Sequence, residues 1–282
     1  MLLVHKPAIL TNQNDKYGSG WDLIVPAGWA MPFLIAMVYR GARVGGIREL
    51  EHSDFEMSQF NFPLLFPDTE AGRVEEGIRR DELDVKHKRK PPAKRVNFEK
   101  LGIKFPHHMP WTILTSDWSS AADGLNTHVL RDVAKLRDIQ QALDNRCLIP
   151  QTPHLSHHLV PVRLQTLSRG CCESLSLICI PSASDIEQLS ADSDFGGPKE
   201  RVHSEPPKHD SLCESCDRTL VGFISFGKFS FRFGQGVGLG FVVFEALRRL
   251  QSDSVWVNNR LLVLFRPQTS FQYRFALLSV AA

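Results

Sequence analysis

The sequence predicts an α+β protein in which mixed, largely antiparallel sheets pack with helices. Three observations predict it. Short runs of bulky and β-branched residues, closed by proline or glycine, occur near both ends, as at Trp21 to Val25 and Leu261 to Phe265. Helical periodicity appears between them, at Trp29 to Arg40 and Val129 to Leu143. In the C-terminal half, Leu220 to Phe226 and Lys228 to Phe233 read as the two arms of a hairpin, which pairs antiparallel.

Composition sets the class. The 282 residues suffice for one large or two ordinary domains, and 43% hydrophobic with 23% charged residues is the balance of a soluble globular protein. A net charge of +2 says little about partners, so any nucleic-acid contact has to be argued from local clusters. Six cysteines are too sparse for a disulfide scaffold and read as reduced thiols of an intracellular protein. MLLVHKPAIL has no basic region before its apolar residues, and Pro7 interrupts it, so it reads as a strand rather than a signal peptide. The apolar runs are far too short to cross a bilayer, and no membrane role is expected.

The first strand candidate after the N-terminus, Trp21 to Val25, stops at Pro26 and Gly28. Trp29, Phe33, Ala36, Met37 and Arg40 then share one helical face, which is expected to be core. Gly41, Gly45 and Gly46 free the backbone to turn, and Arg40, Arg43 and Arg48 surround that turn. Such a corner suits phosphate, although cations also favour a helix C-terminus without any ligand. Phe55 to Asp68 reads as a loop pinned by aromatics, with Asp68 or Thr69 capping a helix from Glu70.

Residues 79–104 carry a local charge of +6, more than the excess of the whole chain. The densest part is Lys86-His87-Lys88-Arg89-Lys90-Pro91-Pro92-Ala93-Lys94-Arg95. The proline pair ends any helix and favours an extended conformation that can lay flanking cations along a phosphate backbone. A solvated helix end, a flexible linker and a nuclear-localisation signal are the competing readings. Farther on, Trp111 and Trp118 read as core anchors, and His107-His108 is a weak metal signal without a third ligand.

A domain boundary is expected close to Pro150, giving regions 1–150 and 151–282. Beyond it, Leu159 to Leu167 and Ser174 to Ile180 are strands, Ala183 to Leu189 a short helix, and 191–211 a mobile loop. Gly234, Gly236, Gly238 and Gly240 lead into a helix with Phe241, Phe244, Leu247 and Leu250. Their spacing does not fit a dinucleotide loop, so tight turning explains them. Leu261 to Phe265 and Phe271 to Val280 close the chain as strands. Cys213-x-x-Cys216, with His203, His209 and Cys171-Cys172, is a candidate zinc set of non-standard spacing, and no metal or cofactor is assigned from it. No serine elbow, Walker loop or metal-binding H-E-x-x-H string occurs, and no catalytic residue is named.

Several strings together resemble a known family. Ser19-Gly20-Trp21-Asp22, Pro26-Ala27-Gly28-Trp29, Tyr39-Arg40-Gly41 and Arg43-Val44-Gly45-Gly46 are similar to the POPLD region of the large protein subunit of the ribonuclease P and ribonuclease MRP ribonucleoproteins. The basic string around Pro91-Pro92, the pairs Pro110-Trp111 and Asp117-Trp118, and Arg266-Pro267 with Gln272 to Ala276 continue the likeness.

The resemblance implies a non-catalytic scaffold that binds the catalytic RNA and other protein subunits and meets precursor tRNA indirectly. It implies RNA contacts at Arg40, Arg43, Arg48, Lys86, Lys88, Arg89, Lys90, Lys94 and Arg95, and work in the nucleus and nucleolus. The family's basic N-terminal portion has no counterpart in this sequence. Two alternatives stand beside this reading. The family's C-terminal part is thought to resemble the folate-binding fold of glycine-cleavage aminomethyltransferases, which implies a folate-binding or one-carbon-transfer domain. The third is a protein-binding platform.

Overall fold

The computed structural model describes residues 1–6, 19–118, 127–168, 170–192, 194–204, 211–253, 256–257 and 260–281. Pro7 and His209 lie outside the described residues. The chain forms two compact units, Met1–Asn61 and Phe62–Ala282.

In the first unit, β1 (Leu2–Lys6) pairs antiparallel with β2 (Gly20–Ile24), bringing Val4 opposite Asp22. Both strands stand where the sequence places them. The chain then turns at Gly28, whose φ of +88° suits glycine, and enters α1 (Ala30–Tyr39). A second turn through Gly41, φ +91°, leads to α2 (Ile47–Glu56), a helix the sequence reading did not contain. The expectation that the apolar face of α1 is core is overturned, because α1 carries no buried residue: Met31 is 60% and Ile35 50% exposed. A two-stranded ribbon and two short helices offer too little surface to enclose a helix that is apolar nearly all round.

The second unit opens with α3 (Glu70–Arg89) and α4 (Trp111–Trp118). A short strand β3 (His128–Val129) and α5 (Val133–Asp144) follow. The sequence extends α5 back to Val129, but Asp132 accepts from the N–H groups of Ala134 and Lys135 and starts the helix there. Next come β4 (His158–Thr166), β5 (Leu177–Cys179) and α6 (Ala183–Ala191), the last opened by a reciprocal Ser182–Asp185 capping box. The chain finishes with β6 (Leu220–Ser230), β7 (Gln235–Val243), α7 (Phe244–Asp253), β8 (Trp256–Val257), β9 (Arg260–Arg266) and β10 (Arg274–Val280).

Strands β10, β4, β7, β6, β5 and β9 pair antiparallel in that order, and β9 pairs again with β10, so the sheet closes into a six-stranded barrel. The largely antiparallel α+β expectation holds. β3 adds to β4 in parallel and β8 to β9. Contacts of α5 with β9 and β10 carry the unit across Pro150. Barrel residues such as Leu159, Val162, Ile224, Leu239, Val263 and Leu264 are fully buried.

Two expectations are corrected here. The glycine series does not form a turn before a helix: Gly236, Gly238 and Gly240 lie in β7, and the helix begins at Phe244. A Cβ on Gly240 would stand 2.2 Å from the Phe223 carbonyl oxygen, and one on Gly236 2.8 Å from Cys171 Cα, so neighbouring backbone occupies the space a side chain would need. Lys228 to Ser230, expected in the second arm of the hairpin, accordingly continue the first arm β6; residues 231–234 form the turn and the second arm is β7. The loop expected to be mobile at 191–211 is instead held over residues 197–203. Tyr273 donates its N–H to Pro198 O, Glu200 donates to Phe271 O, and Gln272 Nε2 donates to Gly197 O at 2.7 Å. Residues 205–210 of that loop lie outside the described residues.

Candidate nucleic-acid interface

The cationic segment is built on α3, and the first half of that helix is anchored. Thr69 caps it by accepting from Gly72 N–H at 3.0 Å. Gly72 lies so close to Phe66 that a Cβ would meet its carbonyl oxygen at 2.0 Å. Glu76 Oε1 accepts from Met109 N–H and stands 3.0 Å from His108 Nδ1, and Arg79 donates to the Ser225 carbonyl in β6 at 3.1 Å. The second half packs through His87 and Asp84 and carries Lys86, Lys88 and Arg89, all exposed.

The helix stops where Lys90 turns extended before Pro91, and Pro92–Lys94 form a single 3-10 turn. Arg95 then reaches back. Its Nε donates to Lys90 O at 2.8 Å and its Nη2 to Lys88 O at 2.7 Å, satisfying carbonyls that the helix end leaves open. His87 lies 3.2 Å from Val96 O and packs edge-on against the buried Phe98, fixing the returning chain. Six cations, Lys86, Lys88, Arg89, Lys90, Lys94 and Arg95, are thus gathered at one ordered helix end with no acid among residues 86–95. Lys86 pairs with Glu82 at 3.5 Å across solvent, and Lys88, Arg89, Lys90 and Lys94 make no ion pair among the described residues. The helix dipole favours positive charge here, but not six charges at once, and their mutual repulsion is relieved by a polyanion.

Arg40, Arg43 and Arg48 belong to the first compact unit and are all exposed. Arg40 caps the C-terminal end of α1, whereas Arg48 sits in the first turn of α2, where a cation opposes the dipole. That helix begins at Gly46 with no side-chain cap, so its open N–H groups and Arg48 share one end.

The histidine and cysteine candidates are absorbed by structure. His107 packs against His87 and Phe98, and burial, partly opposed by Asp84, lowers its pKa. Trp111 stacks edge-on against Phe223 and Phe241, and Trp118 Nε1 donates to Leu220 O at 3.0 Å, so both anchor α4 as expected. Burial pushes Cys213 up to about 12 and also raises Cys216, whose Sγ accepts from the buried Arg266 Nη2 at 3.0 Å, a contact that partly opposes the shift. Glu200, His203 and Asp217 bring three potential ligand atoms within 4.8 Å. Their atoms are already engaged: Glu200 Oε1 lies 2.8 Å from His203 Nε2 and accepts from Asp217 N–H, Tyr273 O–H donates to Oε2, and Arg201 pairs with Asp217 at 2.8 Å. This is a buried polar brace.

Sequence reasoning missed the double role of Arg95 and the positioning role of His87, both of which depend on a return across the proline pair that no local spacing reveals. It also passed over the cations of the barrel, Arg163, Lys228, Arg232 and Arg260, although the alternation of Lys228 to Phe233 was visible.

Residues 20–111 match the model of the POPLD (NUC188) domain, and residues 158–212 and 203–282 match that of the POP1 C-terminal domain. The chain belongs to the ribonuclease P/MRP POP1 subunit family. Within the family, it is 27% identical to the human "Ribonucleases P/MRP protein subunit POP1" over 428 residues, covering 99% of this chain and 42% of that protein. It is 30% identical to the Caenorhabditis elegans subunit popl-1 over 182 residues, covering 63% of this chain and 24% of the relative. With the Schizosaccharomyces pombe subunit pop1 the identity is 25% over 249 residues, covering 86% and 31%. The chain therefore spans less than half the length of these relatives. The POPLD match ends at Trp111 and contains the whole cationic end of α3.

Proposed function

We propose that this chain is a non-catalytic, RNA-binding scaffold component of a ribonuclease P or MRP particle, supporting RNA-catalysed maturation of precursor tRNA and related RNA processing. The observation that carries the reading is the ordered cluster of six exposed cations at the end of α3, with no acid among residues 86–95, inside the segment shared with subunits of that name. Lys88, Arg89, Lys90 and Lys94 neutralise phosphates, Arg95 both holds the turn and adds charge, and Arg40, Arg43 and Arg48 form a separate anion contact on the first unit. The partners are the particle's RNA and its other protein subunits, with precursor tRNA met indirectly, and the place of work is the nucleus and nucleolus. Among the described residues no helix is long and apolar enough to cross a membrane.

The test is to sequence the RNA recovered with the tagged chain and to measure its binding across a salt series. Replacing Lys88, Arg89, Lys90, Lys94 and Arg95 with alanine should weaken binding and flatten the dependence of log K on log salt by roughly 0.7 to 0.9 for each phosphate left without its cation. Recovery free of RNA, with saturable tetrahydrofolate binding, would replace this reading by the folate-binding one. Protein partners alone would leave the platform.

A further inference from the structure

The β6–β7 hairpin ends in Lys228-Phe229-Ser230-Phe231-Arg232-Phe233-Gly234, three aromatic rings interleaved with two cations. A tip of this kind is expected to be polar in a protein that only has to keep its barrel soluble. Here Phe231 is 80% and Phe229 43% exposed, their rings edge to face at 5.7 Å. The turn beneath them is closed. Gly234 N–H donates to Ser230 O at 2.9 Å, Phe233 N–H donates to Ser230 Oγ at 3.2 Å, Ser230 is buried, and Gly234 takes a φ of +66°.

The third ring is used differently. Phe233 has the guanidinium of Arg232 over it at 5.2 Å and that of Arg163, from β4, at 5.4 Å. Arg163 also feels Arg260 of β9, and burial together with that like charge pulls it down to about 10. Two cations held close together in a partly dry setting are relieved by an anion. Arg260 Nη1 donates to the neutral Gln165 Oε1, and the strands themselves supply no carboxylate: none of the six barrel strands contains an aspartate or glutamate, and residues 219–244 contain no acid. Glu173, an exposed acid, lies on the segment whose Cys171 and Cys172 pack against Gly236 and Gly227 of the hairpin.

We propose that the tip of the β6–β7 hairpin is a platform for unpaired RNA nucleotides. Phe229 and Phe231 stack on bases, while Lys228, Arg232 and the Arg163–Arg260 pair hold the flanking phosphates. Duplex RNA hides its base faces and gains nothing from exposed rings, whereas every unpaired base offers one. An apolar protein partner would use the rings but not the cations, and an acidic partner the cations but not the rings. Rings and cations alternating along one ordered turn match a strand in which bases and phosphates alternate. The ordered turn also means that little freedom is lost on binding.

This inference rests on the RNA-binding reading above but uses another part of the molecule, so the two can fail separately. The experiment uses the whole chain, a short labelled oligouridylate as the single strand and a labelled RNA duplex as the control, read by fluorescence anisotropy. Phe229→Ala/Phe231→Ala should weaken oligouridylate binding about tenfold or more while leaving duplex binding within about twofold. Phe229→Trp/Phe231→Trp should restore the single-strand affinity. Both rings are exposed, and an unchanged melting temperature shows that the variants fold. Equal single-strand affinity for the alanine variant and the unaltered chain overturns the platform, as does an equal loss on duplex, or no oligouridylate binding where duplex binding persists. If the alanine variant keeps its RNA affinity but loses a protein subunit in reconstitution, the tip is a protein-docking surface and the proposal fails. Hairpin-dependent oligouridylate binding with duplex binding indifferent to the five-cation variant would instead overturn the role given to α3.

Discussion

His158 in β4 is held below its ordinary pKa, first by burial and then by the nearby positive charge of His128, His154, His157 and Lys135 when these are protonated. The folded chain thus disfavours a proton that the unfolded chain accepts near pH 6.5. The contribution of His158 to stability is complete above that value and is lost as the pH falls through it toward the lower folded value. His107 acts in the same direction through burial. Melting temperatures measured from about pH 7.5 to 5 should therefore fall on acidification. His158→Asn, which cannot take the proton, should fall less steeply; parallel curves would rule out a titrating role for this residue. Glu200 shows the opposite way to keep an ionisable group inside a fold. It is 4% exposed, yet Tyr273, His203, the Asp217 N–H and the guanidinium of Arg266 at 3.7 Å converge on its carboxylate. Burial is tolerated because each oxygen is occupied.

At the scale of elements, α3 shows how a binding surface and a helix end become one object. Arg95→Ala should lower the melting temperature by about 2 °C, because two carbonyls of the last turn lose their donors, and should reduce the salt slope of RNA binding by about one unit. Arg95→Lys keeps the charge but cannot reproduce the fork, so it should preserve the slope while weakening binding severalfold. If the lysine variant matches the unaltered chain, the fork has no part in presenting the cations. The limits of α3 were legible in the sequence because their causes are local: Thr69 at one end and Lys90-Pro91-Pro92 at the other. The cationic character of its end was legible for the same reason. What was not legible depended on distant partners. The helical spacing of α1 correctly gave a helix, but spacing cannot say whether anything covers the apolar face, and among the described residues of the first unit nothing buries it. β7 escaped because three of its residues are glycines, poor strand formers by propensity, whose need becomes visible only when the Phe223 carbonyl and Cys171 are seen against them. The arginines around Phe233 come from separate strands and meet only once the barrel has closed.

Across the larger unit, barrel closure is the feature on which the rest depends. Gly222 and Gly240 sit where a Cβ would stand 2.1 Å and 2.2 Å from the carbonyl oxygens of Phe241 and Phe223. Gly222→Ala and Gly240→Ala should therefore each cost about 3 kcal/mol or more, read as a lowered urea midpoint, whereas alanine at Gly77, with open space around it in α3, should be neutral or slightly stabilising. A small effect at both barrel positions would show that β6 and β7 can slide apart without penalty. Closure has a further consequence for assembly. Each of the six barrel strands has a strand neighbour on both sides, although β5 covers β6 only over Leu220–Phe223 while β6 continues beside β7 to Ser230. β-augmentation, the simplest way for a sheet protein to recruit a partner, is closed wherever both sides of a strand are paired in this way. Over those paired segments, recognition falls to side chains on the helices, loops and hairpin tips.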